Sequence, residues 1–188
     1  MKYDTWVWEG EISDADIESI MSTCLSIESD KGVILDNSGN PGDEVSDPIR
    51  SSDISWIEDK GISEVIWKYA VEANGLAFGF DILNKFDVQF TTYSPGDKYG
   101  WHTDTGYTKE GYYDRKVSIV IQLSDPKDYT GGDLELKRAG QEEAYSVQEF
   151  KTRGSIIAFP SFMQHQITEV TSGVRHSLVA WVEGPHFK

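Results

Sequence analysis

Within the 188 residues, the stretch whose residue types and spacing best suit chemistry is His102-Thr103-Asp104. In an extended strand, residues i and i+2 project from one face about 6–7 Å apart, so this imidazole and carboxylate can reach one cation from one strand edge. A third donor must come from elsewhere. His165, 61 residues beyond Asp104 and at the start of a later strand-like run, is the candidate. Two imidazoles and one carboxylate with open positions form a ligand set for redox-active ferrous iron, which makes His102, Asp104 and His165 candidate metal ligands and catalytic residues. The same donors would also hold zinc around an activated water, so metal-dependent hydrolysis is a second chemistry. Taken alone the pattern is short, and ordinary surface residues would satisfy it too.

Arg175 stands ten residues after His165 and forms an Arg-x-Ser pair with Ser177. Same-face parity puts the two side chains together, and a turn at Thr171-Ser172-Gly173 would let them share the interior with His165. A guanidinium fork with a hydroxyl is suited to gripping a carboxylate, as an anchor for a dicarboxylic acid would be. The single cysteine, Cys24, falls on an apolar helix stripe and is expected in the core, which argues against thiol catalysis.

The elements that must position these groups fall into two halves. Residues 13–28 read as an amphipathic helix, with Ser13 capping and Ile17, Ile20, Met21 and Cys24 at helical spacing. The turn-rich segment Asn37–Asp43 makes 29–52 mostly loop, and a second helix is expected over about 58–74 with Gly75 as its stop. From Phe86 the pattern changes to seven or eight short runs: FDVQFTTY, KVSIVIQLS, DLELKR, AYSV, GSIIAF, HQITEV and VRHSLVAWV. Val117–Leu123 and Leu178–Val182 are nearly continuous apolar runs, as expected of strands covered on both faces. Helices followed by closely spaced strands argue for an antiparallel sandwich or barrel, a mainly β chain with flanking helices (α+β), and against a doubly wound parallel fold.

At this point the sequence resembles the prolyl 4-hydroxylase-like branch of the Fe(II)/2-oxoglutarate dioxygenases, including bacterial and phage PKHD-type hydroxylases. The match runs from Tyr93-Ser-Pro-Gly96 through Tyr99 into Trp101-His102-Thr103-Asp104. It continues with Arg115, Ser118, Gln122 and Leu123, then Gly131-Gly132-Asp133, Gly154 with Phe159, His165, Gly173-Val174-Arg175 and Trp181. The first 85 residues match only as helices ahead of a barrel. The resemblance implies a double-stranded β-helix (jelly-roll, cupin-like) with N-terminal helices packed on one sheet. It implies one domain over 1–188, with 1–85 as helical support and 86–183 as the β-barrel core.

The resemblance further implies Fe(II) on His102, Asp104 and His165, with 2-oxoglutarate gripped by Arg175 and helped by Tyr93. Ser177 and Ser118 are secondary candidates around that co-substrate, Tyr99 and Arg115 match substrate-facing positions, and Trp181 could be core alone. The implied reaction uses O2 to hydroxylate an unactivated C–H bond, with a peptidyl-prolyl residue or a free amino acid as the implied substrate, releasing succinate and CO2. Ascorbate would be an optional helper. Two departures stand out: Arg175 replaces the lysine of animal-type enzymes, which keeps the charge and adds a fork, and Gln122 replaces a tyrosine common in relatives. The segment Thr105–Asp114, with two glycines and three tyrosines, is a lid candidate, and 29–52 a second one.

Composition narrows the alternatives. Seventeen basic against 32 acidic residues give a net charge of −15, a field that repels phosphate backbones, so no nucleic acid is expected as a partner. The absence of a long apolar run or a signal-like start makes membrane partners unexpected and a cytoplasmic monomer the expectation. A protein, peptide or small-molecule substrate fits best. The remaining rivals are the zinc hydrolase and a non-catalytic jelly-roll binding module.

Overall fold

The structure, a computed structural model, describes residues 1–32, 49–105, 113–138 and 140–187. The strands of the first half are β1 (Trp6–Trp8), β2 (Asp30–Lys31), β3 (Arg50–Ser51) and β4 (Asp53–Trp56). Those that follow are β5 (Phe86–Tyr93), β6 (Lys98–His102), β7 (Tyr113–Gln122), β8 (Tyr129–Gly131), β9 (Leu134–Lys137), β10 (Ala144–Ser146), β11 (Ile156–Pro160), β12 (His165–Ile167), β13 (Val170–Gly173) and β14 (Arg175–Pro185). Helices α1 (Asp14–Leu25) and α2 (Lys60–Ala73) lie between β1 and β5.

Helix α1 begins where Ser13 accepts the Asp16 N–H and returns its own hydroxyl to the Asp16 carboxylate at 2.6 Å, and it buries Ile17, Ile20 and Cys24. Burial pushes the Cys24 thiol up to about 12, with nearby Asp59 adding to the shift, so Cys24 is an inert core residue. Helix α2 is capped by Asp59, whose carboxylate accepts the Ile62 N–H, and buries Ile62, Ile66, Tyr69, Ala70 and Ala73. It does not stop at Gly75. The chain continues as a π-helical turn over Asn74–Phe78 and ends at Gly79, whose φ of 71° is the left-handed conformation a helix stop needs. The Asn74 amide fixes that exit by hydrogen-bonding both the N–H and the C=O of Phe80.

Seven strands form one sheet in the order β1-β11-β7-β14-β5-β4-β2, five form a second in the order β10-β9-β12-β6-β3, and β13 pairs with β8. Every one of these pairings is antiparallel. The result is the expected jelly roll, with three differences. Residues 1–85 are more than helical support: β1 extends the large sheet against β11, and β4 extends it against β5. HQITEV is two strands, because Thr168 and Val170 turn their N–H groups to Asp133 and Asp97 and break the ladder. Thr171-Ser172-Gly173 is not a free turn but part of β13. Gly173, at φ 72°, makes the reversal into β14 where a Cβ would strike the Asp128 carbonyl.

Two cores result. On one face of the large sheet, Val117, Ile119, Ile121, Leu178, Ala180 and Val182 pack against α1 and α2. On the other, Val120, Ile157 and Phe159 meet Leu134, Leu136 and Ile167 of the small sheet. Among the described residues no helix is long and apolar enough to cross a membrane.

Candidate active site

The three candidate ligands converge. His102 closes β6 and His165 opens β12, and the two are direct cross-strand partners. Asp104 follows β6, its N–H donated to the Ser161 carbonyl at 2.8 Å. His102 Nε2 lies 3.6 Å from Asp104 Oδ1 and His165 Nε2 lies 3.4 Å from Asp104 Oδ2. One donor atom from each residue falls within 4.8 Å of the others. Neighbouring donors on an octahedral ion with bonds of roughly 2.1 Å stand about 3 Å apart, slightly closer than the 3.4 and 3.6 Å found here.

The imidazoles are set up to bind rather than to form ion pairs. His102 Nδ1 donates to the Gly100 carbonyl at 2.7 Å and His165 Nδ1 to the Met163 carbonyl at 3.0 Å, which leaves both Nε2 lone pairs facing inward. Burial, with His165 close by, lowers His102 to about 4, so it is neutral at physiological pH. Burial by itself would raise the Asp104 carboxyl, but His165, His102 and the Ser118 hydroxyl outweigh it and hold the group below its ordinary value. Ser161 and Ser118 form a relay, with Ser118 Oγ donating to Asp104 Oδ2 at 2.6 Å and itself 3.0 Å from Ser161 Oγ. Ser118 was expected beside the co-substrate. Its hydroxyl instead orients the carboxylate ligand, a partnership that depends on the spatial meeting of β7 with residue 104.

Around this centre, Tyr99 stacks on His102 with centroids 3.5 Å apart, and Phe159 meets His165 edge-on. Arg50, which carried no sequence signal because it follows a long loop segment, lies over the Tyr99 ring at 4.6 Å. Its place in β3 opposite Tyr99 is what delivers it there. The result is a stack of guanidinium, phenol and imidazole.

Arg175 is 1% exposed and pairs across strands with Tyr93, over whose ring its guanidinium sits at 5.6 Å. Its Nη1 reaches Ser177 Oγ at 3.4 Å, while Nη2 has no partner among the described residues. A buried unpaired guanidinium is costly, and an incoming carboxylate is the group that would complete it. Gln122 donates to Tyr129 Oη at 2.7 Å, leaves its own Oε1 unpaired, and lines one small cavity with Arg175 and Gly132. The Gly131-Gly132 pair, read as a plain turn, has a second purpose: a Cβ on Gly132, at φ 62°, would lie 2.9 Å from Arg175 Cδ. The residues present therefore suit a divalent metal at the triad and a carboxylate at Arg175.

Of the two residues expected to face the substrate, Tyr99 lies directly against the ligand His102. Arg115 lies 4.3 Å over the Trp181 ring, and Trp181, beyond filling core, keeps a buried indole N–H without an acceptor. Of the lid candidates, 106–112 and 33–48 lie outside the described residues. A groove of about 510 Å³ among Thr5, Val7, Glu9 and Tyr145 contains none of the candidate ligands.

Known proteins agree with this geometry. The model of the 2OG-Fe(II) oxygenase superfamily matches residues 88–183. A PKHD-type hydroxylase of Gloeothece citriformis is 35% identical over 94 residues, covering 50% of this chain and 41% of that protein. One from Prochlorococcus marinus is 35% identical over 115 residues, covering 61% and 49%. The chain thus spans about half the length of the curated relatives it matches. A prolyl-4-hydroxylase structure from Pseudomonas putida superposes with a TM-score of 0.71 at 18% identity, covering 98% of this chain and 94% of that one. The viral collagen prolyl hydroxylase of Paramecium Bursaria Chlorella virus-1 gives 0.66 at 17%, covering 97% of both. With half of its length matched, all three ligands and Arg175 included, the chain belongs to the 2OG-Fe(II) oxygenase superfamily, whose cofactors are Fe(II), 2-oxoglutarate and O2.

Proposed function

We propose that this protein is an Fe(II)- and 2-oxoglutarate-dependent hydroxylase of unactivated C–H bonds, with a peptidyl-prolyl residue as the substrate to test first. The observation that carries the reading is the pairing of a two-histidine, one-aspartate cluster with a fully buried, half-satisfied Arg175 in the same fold. A zinc hydrolase has no use for that arginine. The prolyl substrate is supported by the solved prolyl hydroxylases that share the fold.

His102, Asp104 and His165 would hold the metal through two Nε2 atoms and one carboxylate. Oxidation of the C–H bond is the chemistry that this cofactor set supplies when bound, with succinate and CO2 as co-products. The chain's own part is positional. Arg175 Nη2 receives the distal carboxylate of 2-oxoglutarate, the Ser161–Ser118 relay keeps Asp104 aligned, and Phe159 with the inter-sheet core keeps water from the buried side.

The test is oxygen-dependent succinate formation with Fe(II), 2-oxoglutarate and proline-containing peptides, following peptides by mass for the gain of one oxygen atom. The reading expects turnover in the wild type and none in His102→Ala. Activity supported by zinc without oxygen or keto acid would overturn it.

A further inference from the structure

Among the described residues, the arginines of this acid-rich chain divide into two that are ion-paired and three, around the metal cluster, that are not. Of its five arginines, Arg138 and Arg153 form ion pairs with Asp4 and Asp14, far from the site. Arg50, Arg115 and Arg175 have no carboxylate within 4 Å among the described residues. Arg175 is accounted for by the co-substrate. Arg50 directs Nε to Ser52 Oγ and Nη2 to Gln89 Oε1, both neutral acceptors, so its charge is hydrogen-bonded but not neutralised. The carboxylates beside Arg115 along its strand and across from it are engaged elsewhere. Glu183, its cross-strand partner, holds Lys85 at 3.0 Å, and Asp114 holds Lys116, His186 and the Phe187 N–H.

A second, independent observation concerns the strand that faces Ser118. Trp181 is 93% buried, its indole N–H has no acceptor among the described residues, and its strand position is opposite Ser118, the residue that holds Asp104. Arg115 covers its ring at 4.3 Å and Trp56, half exposed, stands 6.2 Å away. On the other flank Arg50 reaches His102 through Tyr99. Both arginines thus flank the metal cluster, Arg50 through Tyr99 and His102, Arg115 through Trp181 and Ser118. With a net charge of −15 the whole-protein field disfavours anions. Beyond about 8 Å that field is screened at physiological salt, so unneutralised guanidinium groups decide locally what binds.

We propose that the primary substrate carries a carboxylate, received by Arg50, with Arg115 and the Trp181 indole N–H as flanking donors. The inference rests on the hydroxylase reading and deepens it, since it concerns the substrate and not the co-substrate. A carboxylate can come from an acidic side chain beside the target residue of a peptide or from the α-carboxyl group of a free amino acid. The chemistry at Arg50 is the same.

The test uses the anaerobic protein loaded with Fe(II) and 2-oxoglutarate. End-blocked proline peptides that differ only in having Asp, Ser or Lys beside the proline are titrated by tryptophan fluorescence, with free L-proline as the small-acid arm. The expected result is at least tenfold tighter binding of the Asp peptide than the Ser peptide, with the Lys peptide weakest. That preference should collapse in Arg50→Met and return in part in Arg50→Lys. Arg50-dependent binding of free L-proline without a preference among the blocked peptides would support the same site with a small acid as its ligand. Equal binding of all four in the wild type, or tightest binding of the Lys peptide, would overturn the proposal, and neither result depends on the variants folding. If the visible charge-transfer band of the Fe(II)–keto acid pair is missing at the outset, the hydroxylase reading fails first and this inference goes with it.

Discussion

The large sheet shows two different characters on its two faces. Toward the helices, β5, β7 and β14 present Val88, Phe90, Val117, Ile119, Ile121, Leu178 and Ala180, an apolar surface without a buried polar group on those strands. Toward the small sheet the alternate residues include Gln89, Thr91, Ser118, Gln122, Arg175 and Ser177, buried polar groups set among Tyr93 and Val120 of the second core. The same three strands thus carry a stabilising face and a chemical face, because successive side chains of a strand point to opposite sides. Stability from one face offsets the cost of burying unsatisfied groups on the other, such as Arg175 Nη2 and Gln122 Oε1.

If that division is real, substitutions on the two faces must separate in their effects. The largest is expected at Arg175→Met, which removes charge-assisted hydrogen bonds worth about 3 kcal/mol to a bound carboxylate, so the Kd for 2-oxoglutarate should rise roughly 100-fold. Thermal unfolding should change little, since the variant no longer buries an unpaired charge. On the other face, Ile119→Ala should destabilise by about 2–5 kcal/mol in denaturant titrations. Its Kd for 2-oxoglutarate should stay within about twofold, and a larger change would merge the two faces into one. Gly132→Ala tests the boundary between them. A side chain at φ 62° is strained, and its Cβ would press on Arg175, so a loss of about 1–3 kcal/mol should come with weaker 2-oxoglutarate binding. Stability loss without an affinity change would show that Gly132 serves only its turn.

The smallest effect is expected at Ser118→Ala. Its hydroxyl is one of the groups holding the Asp104 carboxyl low, so removing it raises that pKa toward the ordinary value. Protons then compete with metal at higher pH. The acid limb of Fe(II) binding should move upward by up to about one pH unit, the equivalent of a hydrogen bond of roughly 1 kcal/mol. A downward move would contradict the relay.

How much of this could be read from residues alone follows from the range of each interaction. Strand β5 was legible end to end over Phe86–Tyr93 because its alternation is local. His102 with Asp104, and Arg175 with Ser177, were legible as pairs because the period of two is local as well. The strands of the first half were not, since Trp6–Trp8 and Asp53–Trp56 are too short to show a period and form by docking on edges already made. The helix stop moved from Gly75 to Gly79 because the Asn74 side chain, not the first glycine, directs the exit. Ser118 showed its parity but not its partner, and Arg50 showed neither. Both depend on contacts between strands separated by a long stretch of chain.

The central claim is that His102, Asp104 and His165 hold one ferrous ion within reach of a carboxylate anchored on Arg175. Its most direct test is the visible spectrum of the protein titrated with Fe(II) and then 2-oxoglutarate under strict exclusion of oxygen. The account predicts a charge-transfer band that saturates at one keto acid per iron, is absent in His102→Ala, and needs roughly 100-fold more 2-oxoglutarate in Arg175→Met. A wild-type protein that binds iron but forms no band at any keto acid concentration, or forms it equally well without the arginine, would contradict it.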